Sequence, residues 1–454
     1  MEESKKKERI TEYTSVIPAF FQLLLISVVS NLMVPLAGLF DNAFLGHLQD
    51  INQLGGVILA TIFFDYLYRT LKVIRNSTNS LTAQAVGQDD QKKILLALLQ
   101  SSLIALVAAL AILILQYPIA KLGFFILGGS STVESAGLQY FNVRIWGAPA
   151  TLLNFVFIGW FFGQNKGWFI FLLSLVGNSS NVFLDYLMIM KWGWGSSGAG
   201  LATALSQYLA LVVALIGFSV SSQWHVLPSA IKEIFQWESL RQSLSLKVNI
   251  LIQYVCMVSM YAIFTNLSAV LGTTTLTANG LLLQIIVLSI FTVNGIGLTC
   301  QSFIGTYKGK GEFEKLKFIL NLSITSSIFV ALPFALLPIA FPKTIFTLLT
   351  NHTDIQSVMQ IYMLWLLPLC LLTAVALMLE GYFMGLKQGP VLRNSGLLSL
   401  GLGCLPMAGF AYFLESPHLL WMSLMAYWVL SVMILSVRAI KTLEPIKLPE
   451  PTRG

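Results

Sequence analysis

Seven charged side chains stand within or at the edge of stretches that are otherwise apolar: Asp41, Asp65, Arg69, Lys72, Arg144, Asp185 and Glu380. Asn31, Pro35, Gly38 and Asp41 follow one another at steps of four, three and three, which sets them on one face of a helix. Asn178, Asn181 and Asp185 make a similar stripe further along. Two carboxylates among amides and hydroxyls, partly shielded from water, suit proton exchange or the holding of a small cation. Asp65, Arg69, Lys72 and Asn76 recur at +4, +7 and +11, a single polar face on an apolar helix. That face is either a helical Asp65–Arg69 salt bridge with Lys72 reaching for the surface, or the wall of a cleft that selects substrate charge. Glu380 precedes Gly-Tyr-Phe-Met-Gly and is a further ion or substrate site, or a paired structural carboxylate. Asn154 is counted with the substrate cavity. So are Met257 and Tyr261, which belong to a Met- and aromatic-rich C-terminal half suited to varied cargo.

The elements that position these residues follow from composition. Of 454 residues, 56% are hydrophobic and only 10% charged, and mean hydropathy is +0.77. Soluble domains carry roughly a quarter charged residues, so this chain is a polytopic membrane protein. A spanning helix takes about 20 mainly apolar residues. Twelve stretches qualify: 16–46, 54–78, 93–117, 136–161, 167–190, 197–220, 246–270, 276–305, 317–341, 356–385, 391–414 and 418–440. Pro35 marks a bend in the first, because it removes a backbone donor and crowds the preceding turn. Each charge in a span costs about 2.5–3.5 kcal/mol at a helix centre, so such residues face an interior or a watery cavity.

Residues 221–245 form the longest polar interruption and divide six spans from six. The expected organisation is an N-terminal tail (1–15), a first lobe (16–220), this linker, a second lobe (246–440) and a C-terminal tail (441–454). Leu81-Thr82-Ala83-Gln84 recurs as Leu298-Thr299-Cys300-Gln301, and Tyr140 before Gly-Trp-Phe-Phe-Gly recurs as Tyr362 before Gly-Tyr-Phe-Met-Gly. Six spans per repeat is an even number, so the halves run parallel and face a central cleft. That is an all-α architecture of twelve transmembrane helices in two parallel repeats, of the kind transporters use. The positive-inside rule assigns the direction: twenty-one Lys and Arg lie on the side of the N-terminus and three on the other. Both termini are therefore expected in the cytoplasm, with the chain multi-pass in a plasma (inner) membrane. The net charge of +7 then belongs to topology and not to nucleic acid.

Depth gathers the N-lobe residues. Asp185 lies about 27 Å along a helix entering from inside, and Thr203 only about 9 Å down a helix returning from outside. Asp41 is near the outer end of the first span, so all three belong to the outer half of one lobe. No phosphate-binding loop, HExxH or nucleophile elbow is present, and the histidines (His47, His225, His352, His418) stand singly. The cysteines (Cys256, Cys300, Cys370, Cys404) lie in apolar stretches without metal-type spacing. Neither enzyme chemistry nor a cofactor or metal is expected, and transport should draw on an ion gradient.

Nearly the whole chain resembles the multidrug and toxic compound extrusion family, most closely its DNA-damage-inducible F branch. Residues 30–48, Leu-Thr-Ala-Gln-Ala-Val-Gly (81–87), 140–150 with 159–167, and 181–188 carry the resemblance. It implies a monomer exporting small organic compounds against an inward flow of protons, with sodium the alternative. It also implies that Asp41 binds the coupling ion beside Asn181, Asp185 and Thr203, and that the first helix bends at Pro35 as it does so. The helix 7 glutamate of the sodium-coupled NorM-like branch is missing. The charges of span two depart from the family pattern. Plant relatives export citrate, so an organic anion, or a lipid-linked saccharide moved by a flippase, is the alternative cargo.

Overall fold

The computed structural model describes residues 2–46, 50–127, 130–222 and 224–443, with the side chains of 2–15, 42, 51 and 126–127 left undescribed. His47 and residues 444–454 of the expected C-terminal tail lie outside the described residues. The described residues are almost entirely helical. The N-terminal lobe consists of α1 (Glu2–Gly46), α2 (Ile51–Leu71), α3 (Val73–Gly87), α4 (Gln91–Ile114), α5 (Gln116–Leu127), α6 (Ser131–Arg144), α7 (Ala148–Gly163), α8 (Gly167–Asp185) and α9 (Gly195–Ser221). After the short α10 (Leu227–Lys232) come α11 (Trp237–Val270), α12 (Thr273–Lys310), α13 (Phe313–Ala340), α14 (Pro342–Leu349), α15 (Thr353–Tyr362), α16 (Leu366–Gly385), α17 (Gly389–Leu398), α18 (Leu405–Phe413) and α19 (Pro417–Leu443).

Several of these join end to end into single rods. α2 runs into α3 through one tightened turn at Lys72, whose N–H bonds the Tyr68 carbonyl at 3.0 Å. Eleven stretches are long and apolar enough to cross a membrane by length and composition. The expected span 54–78 is not among them; it is helical, and its helix continues to Gly87 rather than ending near 78. α1 runs unbroken from Glu2 through Pro18 and Pro35, absorbing the expected tail. α11 begins at Trp237, inside the stretch expected as linker.

The repeat extends to backbone irregularities. A 3-10 turn joins α6 to α7 at Ile145–Gly147, and another joins α15 to α16 at Met363–Trp365. A π turn follows α8 at Tyr186–Lys191, and another separates α17 from α18 at Ser399–Cys404. Asn165 and Lys387 both take left-handed φ, 56° and 58°, in the turns after α7 and α16. In both turns the next residue's N–H reaches back five residues, Lys166 to Phe161 at 2.9 Å and Gln388 to Phe383 at 3.0 Å. Defects reproduced at matching places reflect one folding unit used twice.

Aromatic packing holds the first lobe together. Trp160 is buried, donates to the Ile94 carbonyl at 3.0 Å and packs on Phe161 and Phe218. Trp160→Ala removes a large buried ring together with its bond to that carbonyl. It should cost about 3–5 kcal/mol, seen as a lower melting temperature of the solubilised protein, with Trp160→Phe closer to wild type.

Candidate functional site

Two polar sites are built into this frame. The first is in the N-terminal lobe, toward the end of the bundle opposite the termini. α1 brings Asp41 and α8 brings Asp185, near enough that their carboxyl groups act on one another. Asn181, one turn before Asp185 on α8, donates to Asp185 Oδ2 at 2.9 Å. The Oδ1 atoms of both aspartates are buried without a hydrogen-bond partner. Arg144, at the end of α6, donates to Tyr140 Oη at 2.6 Å, and its guanidinium lies 4.4 Å from the Phe64 ring centre. Its charge acts on both aspartates. Thr61 and Thr203 approach the Tyr140 hydroxyl. Thr203 Oγ1 also donates to the Ala199 carbonyl at 2.9 Å. Gly200 lets α9 close on α6 here, since a Cβ would meet the Tyr140 carbonyl at 2.6 Å. Asn181, Asp185, Asp41 and Thr203 thus share one neighbourhood. Asn178 turns its amide back to the Ser174 carbonyl at 2.7 Å.

The second site lies between the lobes. A narrow cavity of about 80 Å³, open at its mouth, has Asn31 of α1 and Arg69, Lys72 and Arg75 on its N-lobe wall. The facing wall includes Tyr254, Met257, Tyr261, Phe291, Asn294 and Glu380. Arg69 and Lys72 reach across to the Phe291 ring, at 5.7 and 5.4 Å from its centre. Of the two readings of this face, the cleft wall holds for Arg69 and Lys72, while Asp65 is exposed and does not line the cavity. The alternative Asp65–Arg69 salt bridge does not form, because Arg69 is spent on the other lobe. Asn154 does not line this cavity; its amide holds the Gln207 carbonyl at 2.8 Å within the first lobe. Arg75 is absent from the seven charges picked out in the sequence. It stands in the run Arg75-Asn76-Ser77-Thr78-Asn79-Ser80, at the polar end of the expected span 54–78, and all six are buried helical residues. Its Nη2 donates to Asn294 Oδ1 and its Nε to Asn76 Oδ1, both at 3.3 Å. The clue was its spacing: Arg75 follows Lys72 by three.

Among the described residues, every hydrogen bond joining the lobes lies between the middle of the helices and the end that carries the termini. Asn76 donates to Tyr254 Oη at 2.6 Å, Asn79 to the Leu298 carbonyl at 3.2 Å, and Gln84 to the Gly385 carbonyl at 2.7 Å. Gln301, the repeat counterpart of Gln84, donates to Ser80 Oγ at 2.8 Å. The motif that reveals the repeat is therefore also the seam that closes one end of the cleft.

Residues 27–187 match the MatE family, and residues 250–408 match it again. The chain belongs to the MatE family. It is a multi-pass membrane protein of a transporter family, and the double match falls on the two lobes. The DNA damage-inducible protein F of Escherichia coli K12 is 29% identical over 427 residues, 94% of this chain and 91% of that one. A probable multidrug resistance protein NorM of Thermotoga maritima is 21% identical over 342 residues, 74% of this chain and 73% of that one. An outward-facing multidrug resistance MATE transporter superposes with a TM-score of 0.82 at 17% identity, covering 94% of this MatE chain and 95% of its own. A MATE structure in the bent conformation gives 0.80 at 18% identity, covering 93% and 95%. The fold of this MatE protein is theirs.

Proposed function

We propose that this chain is a proton-coupled antiporter, with sodium the alternative ion, that exports small organic compounds by alternating access between its lobes. The observation that carries the reading is the Asp41–Asp185 contact with its unpartnered oxygens. Two carboxyl groups so close repel one another when both are charged, and a shared proton or a bound cation relieves that repulsion. Asp41 sits on the helix whose Asn31 lines the inter-lobe cavity, ten residues or about 15 Å away. Loading the acid pair rearranges α1 around Pro35, where the missing N–H leaves the Asn31 carbonyl without its helical partner. That movement carries the ion's binding energy to the cavity wall. The names of its relatives, which include multidrug resistance proteins, support an exported organic cargo.

The basic excess at the terminal end supports cytoplasmic termini in an inner membrane. One chain holds both lobes, the ion pair and the cavity, so a monomer suffices, and no step calls for enzyme chemistry. Inside-out vesicles loaded with this protein, offered a fluorescent organic cation and a fluorescent organic anion in turn, test the reading. Uptake of either probe should follow an imposed pH gradient, or failing that a sodium gradient. Movement of neither probe under either gradient, with the protein correctly inserted, would overturn it.

A further inference from the structure

We infer that the inter-lobe cavity binds an organic anion with an apolar or aromatic body, its negative group on the Arg69–Lys72–Arg75 wall. The inference rests on the transporter reading only in calling the ligand cargo. Three cations follow at steps of three on one rod and line a single cavity. Arg75 is 8% exposed, and both of its hydrogen bonds go to neutral amide oxygens, Asn76 Oδ1 and Asn294 Oδ1. No carboxylate lies within ion-pair distance of Arg69, Lys72 or Arg75 among the described residues. Asp65 acts on Lys72 from an exposed position, while Arg69 and Arg75 act on it as like charges. Neighbouring cations repel one another, and a buried one such as Arg75 is costly without a counter-charge. A bound anion supplies one, and a guanidinium with free N–H groups suits a carboxylate, sulfonate or phosphate.

The rest of the cavity fits the body of such a molecule. Met257, Leu377 and Phe291 give it an apolar and aromatic side. Glu380 is on the opposite wall, where it turns away a second negative group and favours one with its charge at a single end. The ring of Phe291 fixes Arg69 and Lys72 from the other lobe, so cargo on these cations touches both lobes and is released when they part.

Equilibrium binding tests this without a gradient. The purified full chain in lipid nanodiscs is titrated with 1-naphthoate and with 1-naphthylmethylammonium, probes matched in shape and opposite in charge. The wild type should bind the anion about tenfold or more tighter than the cation, and Arg75→Gln should weaken the anion roughly ten- to hundredfold. Arg69→Gln and Lys72→Gln, nearer the rim, should weaken it less, and they stand in if Arg75→Gln fails to fold. Equal or tighter binding of the cation, or anion binding indifferent to all three substitutions, would overturn the assignment. Gradient-driven export of the cationic probe without side-chain-dependent anion binding would sink this inference and leave the antiporter reading intact. Charge-dependent anion binding with no gradient-driven transport would do the reverse.

Discussion

Asp41→Asn is expected to bring gradient-driven export down to the level of empty vesicles while the protein still inserts and folds. Asparagine keeps the shape of the side chain and removes its capacity to gain or lose a proton. It also removes one of the two charges that repel each other across the α1–α8 contact. The conformation reached by loading the pair then loses its dependence on the ion, and an equilibrium that the ion no longer biases cannot be driven by it. Asp185→Asn should behave similarly, because it breaks the same pair from the other side. Asn181→Ala leaves both acids in place and removes only the 2.9 Å bond to Asp185, so a partial loss of about tenfold is expected. Asp65→Asn alters an exposed charge outside the pair and should retain coupling. Uptake by inside-out vesicles under imposed pH and sodium gradients reads all four, with insertion checked by protease protection. Normal transport by Asp41→Asn would remove the pair from the mechanism.

What was legible beforehand was whatever leaves a periodic or compositional mark. Twelve rods follow from apolar length, and parallel halves follow from two repeated motifs and an even span count. Asp41, Asp185 and Thr203 were brought together by depth along their helices, which needs only the rise per residue, and Asn181 by its stripe with Asp185. The misses share one cause. Arg75 and Lys247 stand just inside the ends of the expected spans 54–78 and 246–270, where polar neighbours make them pass for charges that reach the surface, Asn76 to Ser80 in one case and the 221–245 stretch in the other. Both are buried where the lobes meet: Arg75 against Asn294, and Lys247 donating to Ser243 at 2.7 Å and Ser101 at 3.4 Å. An interface between two lobes buries polar residues without any hydrophobic periodicity, so a ruler built on apolar length stops too early there. The Asp65–Arg69 pair failed for a related reason. Local spacing favoured it, but the Phe291 ring across the boundary competes for Arg69, and sequence spacing cannot see a partner more than two hundred residues away.

The same seam yields the second large effect. Gly87 and Gly309 lie against one another across the seam, each close to the backbone of the other lobe. A Cβ on Gly87 would collide with the Thr306 carbonyl, and one on Gly309 with the Gln84 carbonyl. The contact is reciprocal and involves backbone on both sides, so no side chain can swing aside to relieve it. Gly87→Leu must therefore hold α3 and α12 apart at the terminal end. Overpacking of this kind costs about 1–3 kcal/mol, which is a shift of roughly five- to a hundredfold in an equilibrium between two lobe arrangements. The hydrogen bonds of Gln84 and Gln301 lie beside the contact and would be strained with it. In a background with the four buried cysteines replaced, Thr306→Cys should react slowly with a membrane-impermeant maleimide applied from the terminal side. Adding Gly87→Leu should speed that labelling about tenfold or more and reduce transport to background, because the lobes no longer close. Gly87→Ala, with a smaller intrusion, should fall between. Unchanged labelling with full transport would mean that the seam does not open during the cycle, and alternation would then have to occur within the lobes instead of between them.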